Sequence, residues 1–142
     1  DTQPKTDENI GNLEDLKGIR ILLAEDNDLN AEIAVTLLSE VGFMVERAAN
    51  GVDCVEMLKD RPAGYYSIIL MDIQMPVLDG YNATINIRRM DDKAKATIPI
   101  VAMTANAFAE DREKALSVGM NDHIAKPVDM SKLIPTIRKY IK

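Results

Sequence analysis

The segment "ILMDIQMPVLDG" (69–80) joins an apolar run to a sharp chain reversal, with an acid between them. Its apolar start belongs to the most apolar strand pattern of the chain, residues 66–72. Asp72 lies where this pattern ends, and Pro76 and Gly80 then predict a turn. The carboxylate of Asp72 is therefore expected at the end of a buried strand, pointing out of the core.

Short apolar strands alternate with amphipathic helices on both sides of this segment. The predicted strands are 19–24, 43–49, 66–72, 98–104 and 122–126. The predicted helices are 28–42, 51–60, 81–90, 107–119 and 131–142. This alternation predicts parallel strand pairing through right-handed crossovers. We expect an α/β fold over residues 19–142, a doubly wound five-stranded parallel sheet with helices on both faces.

Helix boundaries are indicated by capping residues. Asp28 is the predicted N-cap of helix 28–42, and Gly42 and Gly119 are predicted helix stops. Ser131 is the predicted N-cap of the last helix. Pro135 would then lie at the end of the first turn, where its missing N–H costs little.

Composition narrows the function classes. The formal net charge of -6 argues against binding along a nucleic-acid backbone, and the 46% hydrophobic content suffices for a core. Residues 1–18 carry five acids and two lysines, a net charge of -3, and are otherwise polar. We expect them to form a linker or N-terminal extension, with a short helical turn around Leu13 and Leu16.

A single cysteine, Cys54, excludes an intramolecular disulfide and suits a reducing compartment. The sequence shows no zinc-ligand spacing, no apolar run of membrane-spanning length and no signal peptide. We therefore expect a cytoplasmic location without direct membrane contact. Cys54 itself is expected to be a small core residue.

Polar side chains follow four of the five predicted strands. Glu25 and Asp26 follow the first strand, Asp72 ends the third, Thr104 ends the fourth and Lys126 follows the fifth. Because the carboxyl ends of parallel strands share one edge of the sheet, these groups are expected to converge. Three neighbouring carboxylates stay ionised together only with a cation, and hard oxygen ligands suit Mg²⁺.

The same set of groups suits phosphoryl chemistry. Lys126 supplies a mobile positive charge for a phosphoryl group, and Thr104 supplies a hydroxyl donor. Asp72, held by a divalent ion and a lysine, can act as a nucleophile toward phosphorus. Asp72 is the best candidate because it ends the central strand.

Five stretches carry a family resemblance. They are "ILLAEDNDLN" (21–30), "NG" (50–51), "IILMDIQMPVLDGYNAT" (68–84), "IPIVAMTANA" (98–107) and "DREKALSVGMNDHIAKP" (111–127). In this order and spacing, the chain resembles a response-regulator receiver domain, and most closely those of hybrid sensor histidine kinases. The resemblance implies a flavodoxin-like (βα)5 fold with strand order 2-1-3-4-5.

The resemblance also implies a role for each acid. Asp72 would be the phosphoacceptor of a phosphorelay. Glu25 and Asp26 would help to hold Mg²⁺, Asp26 more directly, together with the backbone carbonyl of Gln74. Mn²⁺ is expected to substitute for Mg²⁺. The first acidic position is often Asp in the wider family and is Glu25 here, so its contact with the metal is expected through water.

The remaining residues would bind the phosphoryl group and transmit the signal. Thr104 and Lys126 would contact the phosphoryl oxygens, and the Lys126–Pro127 bond would be cis. His123 matches the position of the family's switch aromatic, so Thr104 and His123 are expected to move together on phosphorylation. A catalytic role for His123 is disfavoured because no carboxylate partner is evident nearby in sequence.

The expected partners are a histidine kinase core or a histidine phosphotransfer domain, with the domain a monomer or weak dimer. It would catalyse its own phosphorylation and dephosphorylation without being an independent enzyme, and it would be a segment of a hybrid kinase. One alternative is a haloacid dehalogenase-type Mg²⁺-dependent phosphatase. Such enzymes use a second Asp two residues after the nucleophile, and this chain has Gln74 at that position. The other is a phosphorylation-independent interaction module of the same fold.

Overall fold

The structure, a computed structural model, describes residues 14–105, 109–126 and 128–141. Its centre is a five-stranded parallel sheet in the order β2-β1-β3-β4-β5. The strands are β1 (Arg20–Ala24), β2 (Met44–Ala48), β3 (Ile68–Asp72), β4 (Ile100–Thr104) and β5 (Asp122–Ala125). The predicted fold class and strand order are confirmed.

Helices cover both faces of the sheet. They are α1 (Asp28–Val41), α2 (Gly51–Asp60), α3 (Gly80–Arg88), α4 (Lys93–Ala96), α5 (Ala109–Val118) and α6 (Met130–Tyr140). The single turn of α4 was not predicted, because four residues are too few to show a helical period. None of the helices in the described ranges has the length and apolar composition of a membrane span.

Alternate residues of each strand enter two separate cores. In β1 and β3, Leu22 and Ile69 pack in the core under α2, α3 and α5, whereas Ile21 and Leu70 pack in the core under α1 and α6. Cys54 is buried in the first core, as predicted, and burial raises the pKa of its thiol to about 12. The thiol is therefore protonated and buried away from solvent.

The N-cap of α1 is Asn27 and not Asp28, so the prediction was wrong by one residue. The side chain of Asn27 accepts a hydrogen bond from the Asn30 amide at 2.9 Å. Asp28 is instead the first helical residue, where an acid favours the positive end of the helix dipole. Gly42 closes the helix with φ 116°, the left-handed conformation that glycine adopts most easily.

The N-cap of α6 is Asp129, so the prediction of Ser131 was also wrong. Asp129 accepts hydrogen bonds from both the amide and the hydroxyl of Ser131. Because the helix begins two residues earlier than predicted, Pro135 lies in its second turn. The prediction that α5 stops at Gly119 is confirmed, with φ 109° at that glycine.

The residues just before β1 pack against the domain. Glu14–Leu16 form one 3-10 turn, and Leu16 is fully buried in the core under α1 and α6. The Gly18 amide donates to the Gly42 carbonyl at 2.9 Å, and Asp15 forms a salt bridge with Arg138 of α6 at 2.7 Å. A linker role for residues 1–18 stays a prediction; Leu13 lies outside the described residues.

Candidate functional site

The carboxyl edge of the sheet holds an open cleft of about 750 Å³. It is lined by all of the polar residues expected at the strand ends: Glu25, Asp26, Asp72, Thr104 and Lys126. Gln74, whose backbone carbonyl was a predicted metal ligand, lines the same cleft. The structure therefore brings the predicted groups together at one place.

Three carboxylates form the floor of this cleft. Glu25, Asp26 and Asp72 each offer an oxygen atom, and these atoms lie within 4.8 Å of one another. Glu25 is 3% exposed and Asp72 is 5% exposed, whereas Asp26 is open to solvent. A set made only of oxygen donors, partly open to water, fits a small hard cation such as Mg²⁺.

The Lys126 ammonium bridges two of these acids. Its Nζ lies 3.0 Å from Glu25 Oε1 and 3.1 Å from Asp72 Oδ2. Burial alone would lower the pKa of Lys126, but the hydrogen bonds and charges of the two carboxylates outweigh it and raise the pKa. The backbone amide of Lys126 donates to the Thr104 carbonyl at 2.8 Å, which fixes the lysine beside the end of β4.

The Asp72 carboxyl is held in an environment that opposes its charge. Burial and, next, the charge of Glu25 raise its pKa to about 6, although Lys126 acts in the opposite direction. This pKa lies close to neutral pH, so additional positive charge in the cleft is needed to keep the carboxylate fully ionised there. A divalent cation would supply that charge.

The loop after Asp72 is shaped by two unusual backbone positions. A Cβ on Gly80 would lie 2.4 Å from the Asp72 carbonyl oxygen, so only glycine permits this close approach. Val77 has φ 71°, and the Leu78 amide donates to the Pro76 carbonyl at 2.7 Å across it. This is a γ-turn of the strained kind. The predicted turn is present, but its tightest point is Val77, which sequence reasoning missed.

Sequence reasoning also missed other residues at the cleft. Tyr81 at the start of α3 and Lys114 of α5 line it, and the Lys114 ammonium lies 4.5 Å from the Tyr81 ring centroid. Arg47 of β2 donates to the Glu25 carbonyl. All three lie inside helices or strands, so their sequence positions carry no signal until the fold places them.

His123 of β5 lies in a groove with Leu116 and Tyr140. Contrary to the prediction, His123 does have a carboxylate nearby. Oδ1 of the adjacent Asp122 lies 3.9 Å from His123 Nδ1 and accepts a hydrogen bond from the His123 amide at 2.8 Å. Its proposed movement with Thr104 stays a prediction. The predicted cis bond involves Pro127, which lies outside the described residues.

Residues 21–138 match the sequence profile of the response regulator receiver domain. The chain belongs to this family. The match spans β1 through most of α6, so the receiver domain includes the whole sheet and the acid cleft. The predicted family is confirmed.

Curated relatives of this receiver domain are signalling proteins. It is 42% identical over 132 residues to "Hybrid signal transduction histidine kinase B" of Dictyostelium discoideum, covering 86% of this chain and 7% of that protein. It is 42% identical over 121 residues to "Two-component system protein A" of Emericella nidulans, covering 84% and 17%. The chain thus spans a small part of the length of these relatives.

Solved structures give the same family. One is the receiver domain of sensor histidine kinase PA1611 from Pseudomonas aeruginosa PAO1, with a magnesium ion coordinated in its active site cleft. It is 40% identical to this chain with a TM-score of 0.76, and the match covers 87% of this chain and 97% of that one. Another is the receiver domain of Ssk1 from Saccharomyces cerevisiae, crystallised with the histidine phosphotransfer protein Ypd1, at 32% identity and TM-score 0.78, covering 87% and 89%. These comparisons support a phosphorelay receiver domain and not the phosphatase alternative.

Proposed function

We propose that Asp72 accepts a phosphoryl group from a phosphohistidine in a Mg²⁺-dependent reaction. The observation that carries this proposal is the position of the Asp72 carboxylate. It ends the central strand, is almost fully buried, lies within 4.8 Å of two other acids and contacts Lys126 at 3.1 Å. No other described carboxylate combines these four features.

The metal would be held by Glu25, Asp26 and Asp72, with the backbone carbonyl of Gln74 as a further ligand. Bound there, Mg²⁺ supplies positive charge that offsets the charge of the phosphoryl oxygens and keeps Asp72 ionised. Mn²⁺ is expected to substitute, since it also prefers oxygen ligands. A magnesium-bound relative and the oxygen-only donor set support this assignment.

In the transfer, an Asp72 oxygen attacks phosphorus in line with the donor imidazole. The O–P bond forms as the N–P bond breaks, and the imidazole nitrogen leaves with the electron pair. The Lys126 ammonium, 3.1 Å from Asp72, shifts to contact a phosphoryl oxygen, and the Thr104 hydroxyl donates a hydrogen bond to another. The product is an acyl phosphate that water hydrolyses, so the signal resets within the same site and without a separate enzymatic activity.

The donor surface is proposed at the rim of the cleft. Leu29 and Ile33, four residues apart on one face of α1, are 65% and 49% exposed, and Leu29 adjoins the cleft residue Asn30. Val77, 79% exposed, follows the cleft residue Pro76. Apolar side chains beside a polar site are typical of a docking surface. A histidine phosphotransfer domain is the proposed occupant, and the crystallised complex of the Ssk1 receiver domain with the histidine phosphotransfer protein Ypd1 supports this choice of partner.

The parent protein of this domain is part of the same proposal. A hybrid histidine kinase is the proposed parent protein, supported by relatives of which this domain covers 7% and 17%. A cytoplasmic location and a monomeric or weakly dimeric state remain predictions from the sequence.

The phosphorylation site is tested with a small phosphodonor. The protein is incubated with acetyl phosphate and Mg²⁺, and intact mass is recorded for the native chain, Asp72→Asn and the control Asp91→Asn, an exposed acid between α3 and α4. We expect one added phosphoryl group in the native chain and in the control, and none in Asp72→Asn. The same increment in Asp72→Asn would refute the assignment.

The docking surface is tested with a phosphorylated histidine phosphotransfer domain. Leu29→Asn and Ile33→Asn are expected to slow transfer about tenfold each, since each removes an apolar contact that docking of the partner would bury, while phosphorylation by acetyl phosphate stays unchanged. Leu116→Asn is the matched control, because Leu116 is 53% exposed on a different helix, α5. Equal slowing by all three variants would contradict the assigned surface.

A further inference from the structure

One arginine contacts both ends of the loop that carries two of the cleft acids. Arg47 lies on β2, where it pairs with Leu23 of β1. Its Nε donates to the Glu25 carbonyl oxygen at 2.8 Å, and its Nη1 lies 2.9 Å from Asp28 Oδ1. The Arg47 side chain therefore spans the loop from the end of β1 to the first residue of α1.

With these contacts, the backbone and the side chain of Glu25 are all hydrogen bonded. Its amide donates to the Ala48 carbonyl at 3.0 Å, and its side chain accepts the Asn27 amide at 3.2 Å. Because Arg47 donates a hydrogen bond to the Glu25 carbonyl, both the amide and the carbonyl of Glu25 are bound to β2. Asp26 is the next residue, so its position depends on an anchored Glu25 on one side and the start of α1 on the other.

We infer that Arg47 is a positioning residue for Glu25 and Asp26, an inference that rests on the proposed metal role of these acids. The two contacts use separate N–H groups of one planar guanidinium. A lysine ammonium is a single point donor, so it can reproduce at most one of them without moving.

The charge of Arg47 would by itself oppose cation binding at the neighbouring acids. Asp28 lies 2.9 Å from the guanidinium and offsets that charge. Removing Arg47 therefore changes the local charge in favour of Mg²⁺ but frees the loop, and these two effects have opposite signs. Partners that orient metal ligands typically change metal affinity by about tenfold to a hundredfold, which exceeds the effect of a partly screened charge. The positional effect is expected to dominate.

Three variants separate these effects. Arg47→Met removes both contacts and keeps the aliphatic stem, Arg47→Lys keeps the charge, and Asp28→Asn removes only the salt bridge. The first readout uses metal-free protein: amide hydrogen exchange of residues 25–28, compared with residues of β3. The second is the Mg²⁺ dissociation constant from chemical-shift titration. The third is the rate of phosphorylation by acetyl phosphate as a function of Mg²⁺ concentration.

In Arg47→Met we expect faster exchange at residues 25–28 only, and a Mg²⁺ dissociation constant about tenfold higher. The phosphorylation rate should recover to within about twofold at saturating Mg²⁺, because the reacting groups themselves are intact. Arg47→Lys should lie between the native chain and Arg47→Met, and Asp28→Asn should stay within about twofold of the native dissociation constant.

An unchanged dissociation constant in Arg47→Met overturns the inference. An equal loss of Mg²⁺ affinity in Asp28→Asn without faster exchange at residues 25–28 also overturns it, since the effect would then be one of charge. A rate that stays low at saturating Mg²⁺ also overturns it, since Arg47 would then act on the reaction itself. If Arg47→Met fails to fold, Arg47→Lys tests the inference with a smaller expected rise in the dissociation constant, and an unchanged constant with unchanged exchange at residues 25–28 overturns it. Failure of the proposed function is distinguishable, because the native chain would then show no phosphorylation at Asp72 whatever the exchange data give.

Discussion

In metal-free protein, Asp72→Asn is expected to increase the free energy of unfolding at pH 7.5. The folded environment raises the pKa of Asp72 from 3.8 to about 6, mainly by burial and next by the charge of Glu25. One pKa unit corresponds to about 1.4 kcal/mol, so ionised Asp72 destabilises the fold by about 3 kcal/mol. The Asn side chain has nearly the same size and no charge. We expect a gain of about 2 to 3 kcal/mol, since Lys126 also loses one partner.

The sign of the pH dependence follows from the direction of the shift. Between about pH 4 and pH 6 the folded state binds the Asp72 proton more tightly than the unfolded chain does. Stability of the native chain therefore falls as the pH rises through this interval, and the full penalty is present above it. Asp72→Asn lacks this group, so its advantage should be large at pH 7.5 and close to zero at pH 4.

Urea unfolding in EDTA at pH 4, 5, 6 and 7.5 measures this difference. The control is Asp91→Asn, which changes the same charge at an exposed site. Saturating Mg²⁺ should stabilise the native chain and remove most of the advantage of Asp72→Asn at pH 7.5, because the ion binds only the native acid set. A gain of the same size at pH 4 and pH 7.5, or a gain equal to that of Asp91→Asn, would refute the argument.

Four further predictions concern single residues. Asp26→Asn should raise the melting temperature without Mg²⁺ and lose most of the Mg²⁺-induced shift, and an undiminished shift in thermal unfolding would contradict this. Val77→Gly should stabilise the fold by about 1 kcal/mol in urea unfolding, because glycine adopts positive φ without strain, while Val77→Ala should not. Arg88→Met should destabilise the fold by about 3 kcal/mol, because the guanidinium donates at 2.8–2.9 Å to three backbone carbonyls, and Arg88→Lys should restore only part of this. His123 ring resonances should move when beryllofluoride, a phosphoryl mimic, is added; a spectrum that changes around Asp72 and not at His123 argues against the switch.

The acid cleft was predictable because topology alone determines where strands end. Once parallel pairing is inferred, residues just after the strands must share one edge, so Asp72 and Lys126 meet although they lie far apart in sequence. Helix ends were predicted less accurately, since adjacent polar residues compete for the same cap. Asn27 and Asp28 can both accept a backbone hydrogen bond, and only the path of the chain leaving β1 decides between them.

Features that depend on tertiary reach could not be predicted. Val77 is β-branched and gives no local reason for a positive φ; the closure of the loop onto Gly80 imposes it. Arg47 would pass for an ordinary strand arginine, because its contacts with Glu25 and Asp28 depend on the β1–β2 register and on the length of the side chain. Such residues become visible only when the backbone is placed.

The burial of Leu16 has a consequence for any domain joined ahead of β1. Because Leu16 is fixed in the core, an attached segment departs at the edge where the strands begin, while the Asp72 carboxylate lies where they end. The five residues of β1 separate these edges by roughly 17 Å. A phosphodonor tethered there must pass along the side of the sheet before it meets the cleft, so a short tether lowers its effective concentration at Asp72 toward zero. The length of that connection would then select between transfer within one molecule and transfer between two.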